Sequence, residues 1–244
     1  MFKGICVGGP VQGWVEQSLK SLIAQHEQDW QAQVVLDPCG DKSYEHACSV
    51  KDSRISVRLN EVRQYGLKNT ADAVQLLEPD DEDILFTLDC DDWLKPEALT
   101  VVRRAYEENP ELVLTYGSWE PYPDPTALTN TYWQYEPNDF NDIRHKSFRA
   151  SHLRTFKYKL WKRIDQKRSF LDPRGQYFRA ATDLAFMFPM LEMAGYHRVK
   201  WIKDRIYVHN QARTHGDAEQ FGWEQTRNSD HIPSLVPYAM LNTI

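Results

Sequence analysis

An apolar run that stops at three carboxylates sets the frame for this chain. It reads Ile84-Leu85-Phe86-Thr87-Leu88-Asp89-Cys90-Asp91-Asp92-Trp93-Leu94. An uncharged run rich in Ile, Leu and Phe predicts a strand buried on both faces, which is the habit of parallel sheets covered by helices. The carboxylates fall where that strand leaves the sheet, the rim at which open α/β sheets bind ligands. Acids packed side by side repel. A divalent cation held by hard oxygen ligands, Mg²⁺ or Mn²⁺, offsets that repulsion and is often shared with substrate phosphates. The competing explanation is a helix N-cap, with Asp91 or Asp92 capping the helix that begins at Lys95-Pro96-Glu97-Ala98-Leu99. A cap accounts for one of these acids and not for all of them.

The first half of the chain predicts alternating strands and helices. Residues 2–7 read as a strand broken by Gly8-Gly9-Pro10, and no GxGxxG follows it. Residues 11–28 carry Val11, Trp14, Val15, Leu19, Leu22 and Ile23 at helical spacing. A strand at 31–36 ends in the turn-rich Asp37-Pro38-Cys39-Gly40-Asp41. A short helix at 44–50, a strand at 55–59 and a helix at 66–77 come next. The acidic stretch 78–83 is a solvated turn. After the acid cluster a helix runs to about residue 108, and residues 112–116 form another strand. Such alternation implies a mostly parallel central sheet with helices on both faces. Right-handed crossovers then place Pro10, Asp37 and Asp89 along one rim.

Beyond residue 116 the pattern changes. Trp119-Glu120-Pro121-Tyr122-Pro123-Asp124-Pro125 is read as irregular. Residues 139–168 are basic and aromatic: about half of these cations are a solvated helix surface, and the rest form a patch suited to a phosphorylated ligand. Residues 182–195 read as a helix closed by Gly195. Two short strands follow at 199–202 and 205–208, then a polar, irregular tail. The net charge of −6 excludes a sequence-independent grip on nucleic-acid backbone as the main role. Cys6, Cys39, Cys48 and Cys90 have no metal-like spacing and read as reduced thiols of a cytoplasmic protein. The N-terminal residues read as a strand, not a signal peptide, and no apolar run is long enough to span a membrane.

Taken in order, these pieces resemble the family-two glycosyltransferases of the nucleotide-binding α/β (GT-A) type, over roughly residues 3–215. Residues 14–25, with Glu16, Leu19, Ser21, Leu22 and Gln25, are similar to the family's first helix. Val34-Val35-Leu36-Asp37 with Gly40-Asp41 resembles its second strand and DDGSxD turn. Gly66-Leu67-Lys68-Asn69-Thr70-Ala71 resembles its G…N.A helix start, and Phe86 to Pro96 its FLDxDDxLxP signature. Thr182-Asp183 with Leu191, Glu192, Ala194 and Gly195 resembles its late ED…L…AG helix, and Tyr207-Val208-His209-Asn210 its terminal tyrosine motif. The chain departs from the family at Gly8-Gly9-Pro10, at Asp37-Pro38 and at Thr182.

The resemblance implies transfer of a sugar from a nucleotide-sugar donor, a UDP-sugar by preference, to a hydroxyl acceptor. That acceptor is a glycan, lipid-linked sugar, protein or modified base. It implies one domain at 1–215, with a donor half at 1–117, an acceptor half at 118–215, and a tail at 216–244. Asp91 is expected to hold Mn²⁺ or Mg²⁺, with His209 or His215 completing its shell. Either histidine has a plain alternative, as a strand-end or a loop residue. Pro10, Asp37, Lys68, Asp89 and Arg154 are expected at the nucleotide sugar; Lys68 could equally be an exposed helix-start residue. Asp183 is expected to be the general base of an inverting transfer, or else a helix cap. Trp119, His152 and Trp161 are assigned to the acceptor side, and Asp92 to capping the next helix. Rival readings are a phosphatase-like phosphoryl transferase, a nucleotidyltransferase and a non-catalytic nucleotide-sugar-binding protein. The phosphatase motif normally lies on the first strand. A nucleotidyltransferase would favour a basic residue after strand one, which Gly8-Gly9-Pro10-Val11-Gln12 lacks.

Overall fold

The structure is a computed structural model that describes residues 1–127, 133–213 and 222–244. Its centre is an eight-stranded sheet in the order β3-β2-β1-β4-β7-β6-β8-β5. The first half supplies β1 (Phe2–Gly8), β2 (Trp30–Leu36), β3 (Ile55–Leu59) and β4 (Ile84–Asp89), all mutually parallel. Their register sets the rim. Val7 lies opposite Asp89 and Gly8 opposite Leu36, so Pro10, Asp37 and the acid cluster leave the sheet side by side. Gly8 is required there: a Cβ at that position would sit 2.9 Å from the Cβ of Cys90.

Each buried strand feeds two cores, because successive side chains point to opposite faces. Ile5, Val35 and Leu85 face one layer; Phe2, Cys6, Val34 and Phe86 face the other. The first layer is covered by α3 (Tyr65–Leu77) and by α7 (Thr182–Ala194), the second by α1 (Val15–Ile23) and α4 (Ala98–Glu108). α1 buries Val15, Leu19 and Leu22, the single stripe of an amphipathic helix. α7 is apolar nearly all round and sits in the core, ending at Gly195 with φ +68° as expected. The short α2 (Ser43–Ser49) links β2 to β3.

The second half differs from the sequence expectation in several places. The 139–168 stretch is not a helix surface. It holds 3-10 turns at Pro137–Asn141 and Ile143–His145, the strand β7 (Ser151–Lys157), and the short helices α5 (Tyr158–Trp161) and α6 (Gln166–Ser169). β7 inserts antiparallel between β4 and β6 (Leu114–Tyr122). β6 runs on through Trp119, Glu120 and Pro121, where the prolines of the sequence predict an irregular stretch. Its pairing with β7 stops at Gly117↔Ser151, so Pro121 pairs only with β8 and its missing N–H leaves no strand on the other side unbonded. The two short strands expected near residue 200 are one, β8 (Val199–Asn210), whose register slips between Ile202 and Arg205. The helix after the acid cluster starts only at Ala98; before it, β5 (Trp93–Leu94) pairs antiparallel with β8. In the tail, α8 (Gly222–Ser234) replaces the expected irregular chain. No helix among the described residues is long and apolar enough to cross a membrane.

Candidate functional site

The rim opens into a cleft of about 260 Å³. Pro10, Asp37, Asp89, Asp91, His152, Arg154 and Asp183 all line it, so the structure gathers most of the expected site residues from six different elements and loops. Asp89 is the last residue of β4. Burial, and then the neighbouring charges of Asp92 and Asp91, push its carboxyl up to about 7, against the pull of Arg154 and Arg213. Asp91 is also raised, by burial first and then by Asp92. Its Oδ2 accepts a hydrogen bond of 2.6 Å from Nη1 of Arg213. Burial works against the Arg213 cation, but its ion pair with Asp91 and the charges of Asp89 and Asp92 outweigh that, so its pKa rises.

Asp92 has a different task from the one expected. It is fully buried and caps no helix; the residue preceding α4 is Glu97. Its carboxylate accepts from the Tyr207 hydroxyl (2.6 Å), the Asn210 N–H (2.7 Å) and Nδ1 of His209 (3.1 Å). With the β5–β8 pairing, these bonds clamp the acid loop to the end of β8. His209 is thus turned to Asp92, with its ring edge-on to Trp119 at 4.6 Å and stacked on His152 at 5.9 Å. Among the described residues it is not grouped with Asp89 and Asp91 as a set able to hold a metal. His215 lies outside the described residues.

Across the cleft, Asp183 stands in the first turn of α7. Its Oδ2 accepts from Nη2 of Arg154 (2.8 Å) and its Oδ1 from the Leu184 N–H (3.0 Å). Arg154 is buried on β7 and also donates to the Ala150 carbonyl (2.9 Å). Beside it, His152 stacks on Tyr207 at 4.5 Å. Burial, with Arg154 next, holds His152 well below the usual histidine range, so its ring is neutral. On the third side Asp37 accepts from Asn60 Nδ2 (2.9 Å) and from the N–H groups of Gln64 (2.9 Å) and Tyr65 (2.8 Å). Those bonds hold Tyr65 at φ +67°, a strained conformation for a non-glycine residue.

Among the described residues, four expected ones do not line the cleft: His209, turned to Asp92, and also Lys68, Trp161 and Trp119. Lys68 is paired with Asp72 one helical turn away, its ammonium 5.7 Å from the centre of the Tyr177 ring. Trp161 is 3 % exposed and stacked on Phe156 in the core, so it offers no face to an acceptor. Trp119 is 7 % exposed and packs beneath His209. The structure adds lining residues that the sequence did not single out: Arg63, Tyr65 and Thr87, together with Arg213. The guanidinium groups of Arg63 (4.8 Å) and Arg179 (4.9 Å) both lie over the Tyr65 ring. No local sequence signal marks them, since isolated arginines are ordinary surface residues.

Similar architecture occurs in solved structures. S. aureus TarS 1-349 in complex with UDP-GlcNAc superposes with a TM-score of 0.64 at 16% identity, covering 89% of this chain and 60% of that one. Full S. aureus TarS gives 0.64 at 15%, covering 98% and 41%. The mannosyltransferase PcManGT from Pyrobaculum calidifontis, in complex with GDP-Man and Mn²⁺, gives 0.57 at 15%, covering 85% and 56%. This chain therefore spans less than two thirds of the length of these proteins, and at such identities the likeness shows the fold, GT-A, alone. No curated protein sequence matches it. The sequence profile of "Glycosyl transferase family 2", however, matches residues 11–179, well over half of the chain and including β4 and its acid loop, and on that evidence the chain belongs to this family.

Proposed function

We propose that this protein transfers a sugar from a nucleotide-sugar donor, a UDP-sugar by preference, to a hydroxyl acceptor, with inversion at the anomeric carbon. One observation carries the reading: the Asp89–Asp91 pair at the end of β4 and Asp183 at the start of α7 line the same cleft. In the step we envisage, Asp183 takes the proton of the acceptor hydroxyl. The acceptor oxygen bonds to the anomeric carbon, the bond from that carbon to the phosphate oxygen breaks, and its electron pair leaves with the nucleoside diphosphate. Arg154 holds Asp183 in place and Arg213 brings a fixed cation to the side where the leaving charge builds. Pro10 and Asp37 flank the place for the base, and Asp89 the ribose.

The donor set suits a divalent cation. Asp89 and Asp91 are hard oxygen ligands neighboured by the Arg154 and Arg213 cations, and Mg²⁺ or Mn²⁺ bound by one or two carboxylates completes its shell with water and substrate phosphates. Such an ion would supply Lewis-acid stabilisation of the departing diphosphate. None of the four cysteines is in a disulfide, which supports placing the protein in the reducing cytoplasm.

The test is a thermal-shift panel of nucleotide sugars with and without Mn²⁺. A donor that binds only the folded state raises the melting temperature; no shift from any donor sinks the proposal. Asp91→Asn is expected to lose the donor-induced shift. Asp183→Asn is expected to keep it while turnover falls by roughly 10²–10⁴. Retention of configuration in the product, read by NMR, would remove Asp183 from the role of base. The rival of a non-catalytic binder draws on the ion pairing of both Asp91 and Asp183; it would show a donor shift and no turnover in the unaltered protein.

A further inference from the structure

Asp183 borders a second cavity besides the cleft, a groove of about 370 Å³. One wall is the turn carrying Lys146 and Phe148, the floor is α7, and the other wall is α8 through Gln225 and Ser229. α8 lies beyond residues 11–179, the stretch that the family profile matches. A groove that meets the donor cleft at the proposed base is placed to deliver a hydroxyl to it.

The charges around the groove do not cancel. Arg144 is spent on Glu192, by two bonds of 2.5 and 2.8 Å, and on the Ile232 carbonyl at 2.9 Å. Asp183 is balanced by Arg154. Lys146 is exposed, lines the groove, and has no carboxylate partner among the described residues. One uncompensated cation therefore faces this groove, in a chain whose net charge is −6. Beside it, Phe148 is half-buried with its ring edge-on to Phe188 at 5.6 Å, leaving apolar surface against which the carbon skeleton of a sugar or polyol packs. Gln225 and Ser229 add an amide and a hydroxyl; the Gln225 carbonyl oxygen accepts the Ala181 N–H at 2.8 Å, which fixes that side chain just ahead of Asp183.

We infer that this groove is the acceptor site, and that the acceptor is an anionic sugar or polyol. Its phosphate ester or carboxylate pairs with Lys146, its carbon skeleton lies on Phe148, and its free hydroxyl reaches Asp183. The inference rests on the glycosyl-transfer reading above and adds the chemical class of the acceptor to it.

Saturation-transfer NMR on the full chain with UDP and Mg²⁺ present tests it, with glucose, glucose 6-phosphate and glucuronate as probes. Both anions are expected to bind roughly tenfold or more tightly than glucose, the worth of one charge-assisted hydrogen bond. Lys146→Ala is expected to bring them down to the level of glucose, Lys146→Arg to preserve the preference, and Phe148→Ala to weaken all three. Preference for the phosphate ester or for the carboxylate identifies which anion the groove takes. Equal binding of glucose, no binding of any probe, or an anion preference that survives Lys146→Ala overturns the inference. UDP binding, followed in the same samples, separates the two claims. Its absence sinks the UDP-sugar form of the transfer reading, whereas UDP binding without an anion preference sinks the acceptor assignment alone.

Discussion

Removing the Asp92 carboxylate would leave the Tyr207 hydroxyl, the Asn210 N–H and Nδ1 of His209 without their acceptor. Tyr207 and Asn210 are fully buried, and a stranded buried donor costs about 1–3 kcal/mol. Asp92→Ala is therefore expected to destabilise the protein by about 3 kcal/mol or more. For a domain of this size that lowers the melting point by roughly 6–12 °C. Asp92→Asn, which keeps one acceptor oxygen, is expected to cost less, and circular-dichroism melts would rank the two. The acids at the end of an apolar run pointed to Asp89 and Asp91, and the family resemblance to Asp183; all three line the cleft. The pattern of acids was not enough to separate Asp92 from its neighbours, because that depends on which strand lies against the loop. Nor could it reveal the pairings Asp91–Arg213 and Asp183–Arg154, which join residues 122 and 29 positions apart.

At the scale of elements, hydrophobic period was legible wherever one face of an element is plainly apolar. β1 to β4, α1, α3 and α7 fall close to their expected places. β7 was hidden because its buried polar groups look like surface: Thr155 is fully buried yet satisfied by Tyr106 (3.0 Å) and Thr115 (2.7 Å), and Arg154 by Asp183. The edge strand β3 begins just after a local brace that depends on pH. Asp52 accepts from Arg54 at 2.7 and 2.9 Å, and Arg54 lies 3.8 Å over the Trp30 ring at the start of β2. The hydrogen bond from the Arg54 side chain holds the Asp52 carboxyl down at about 2. The unfolded chain titrates it near the ordinary value of about 3.9. Asp52 is the group with the lower folded pKa, so its stabilisation is complete above about pH 4 and is lost as the pH falls towards about 2. Urea midpoints measured from pH 5 to pH 2 are expected to fall less steeply for Asp52→Asn than for the unaltered chain.

On the scale of the whole molecule, one buried ion pair helps to fasten the C-terminal segment. The side chains of Arg144 and Glu192 are 3% and 7% exposed. Glu192 also accepts the Tyr238 N–H (3.0 Å), while Arg144 reaches the Ile232 carbonyl, so α7, the turn at residue 144 and the tail at Ile232 and Tyr238 share one knot. Glu192→Ala leaves a buried guanidinium without its charge partner and is expected to cost about 3–5 kcal/mol. The double variant Arg144→Met with Glu192→Leu is expected to recover much of that loss, and donor-induced shifts should persist in both wherever they remain folded. α8, held by that knot, touches the groove and not the cleft. Substitutions on its exposed face are therefore expected to leave donor-induced thermal shifts unchanged, while those at Gln225 and Ser229 reshape the groove alone.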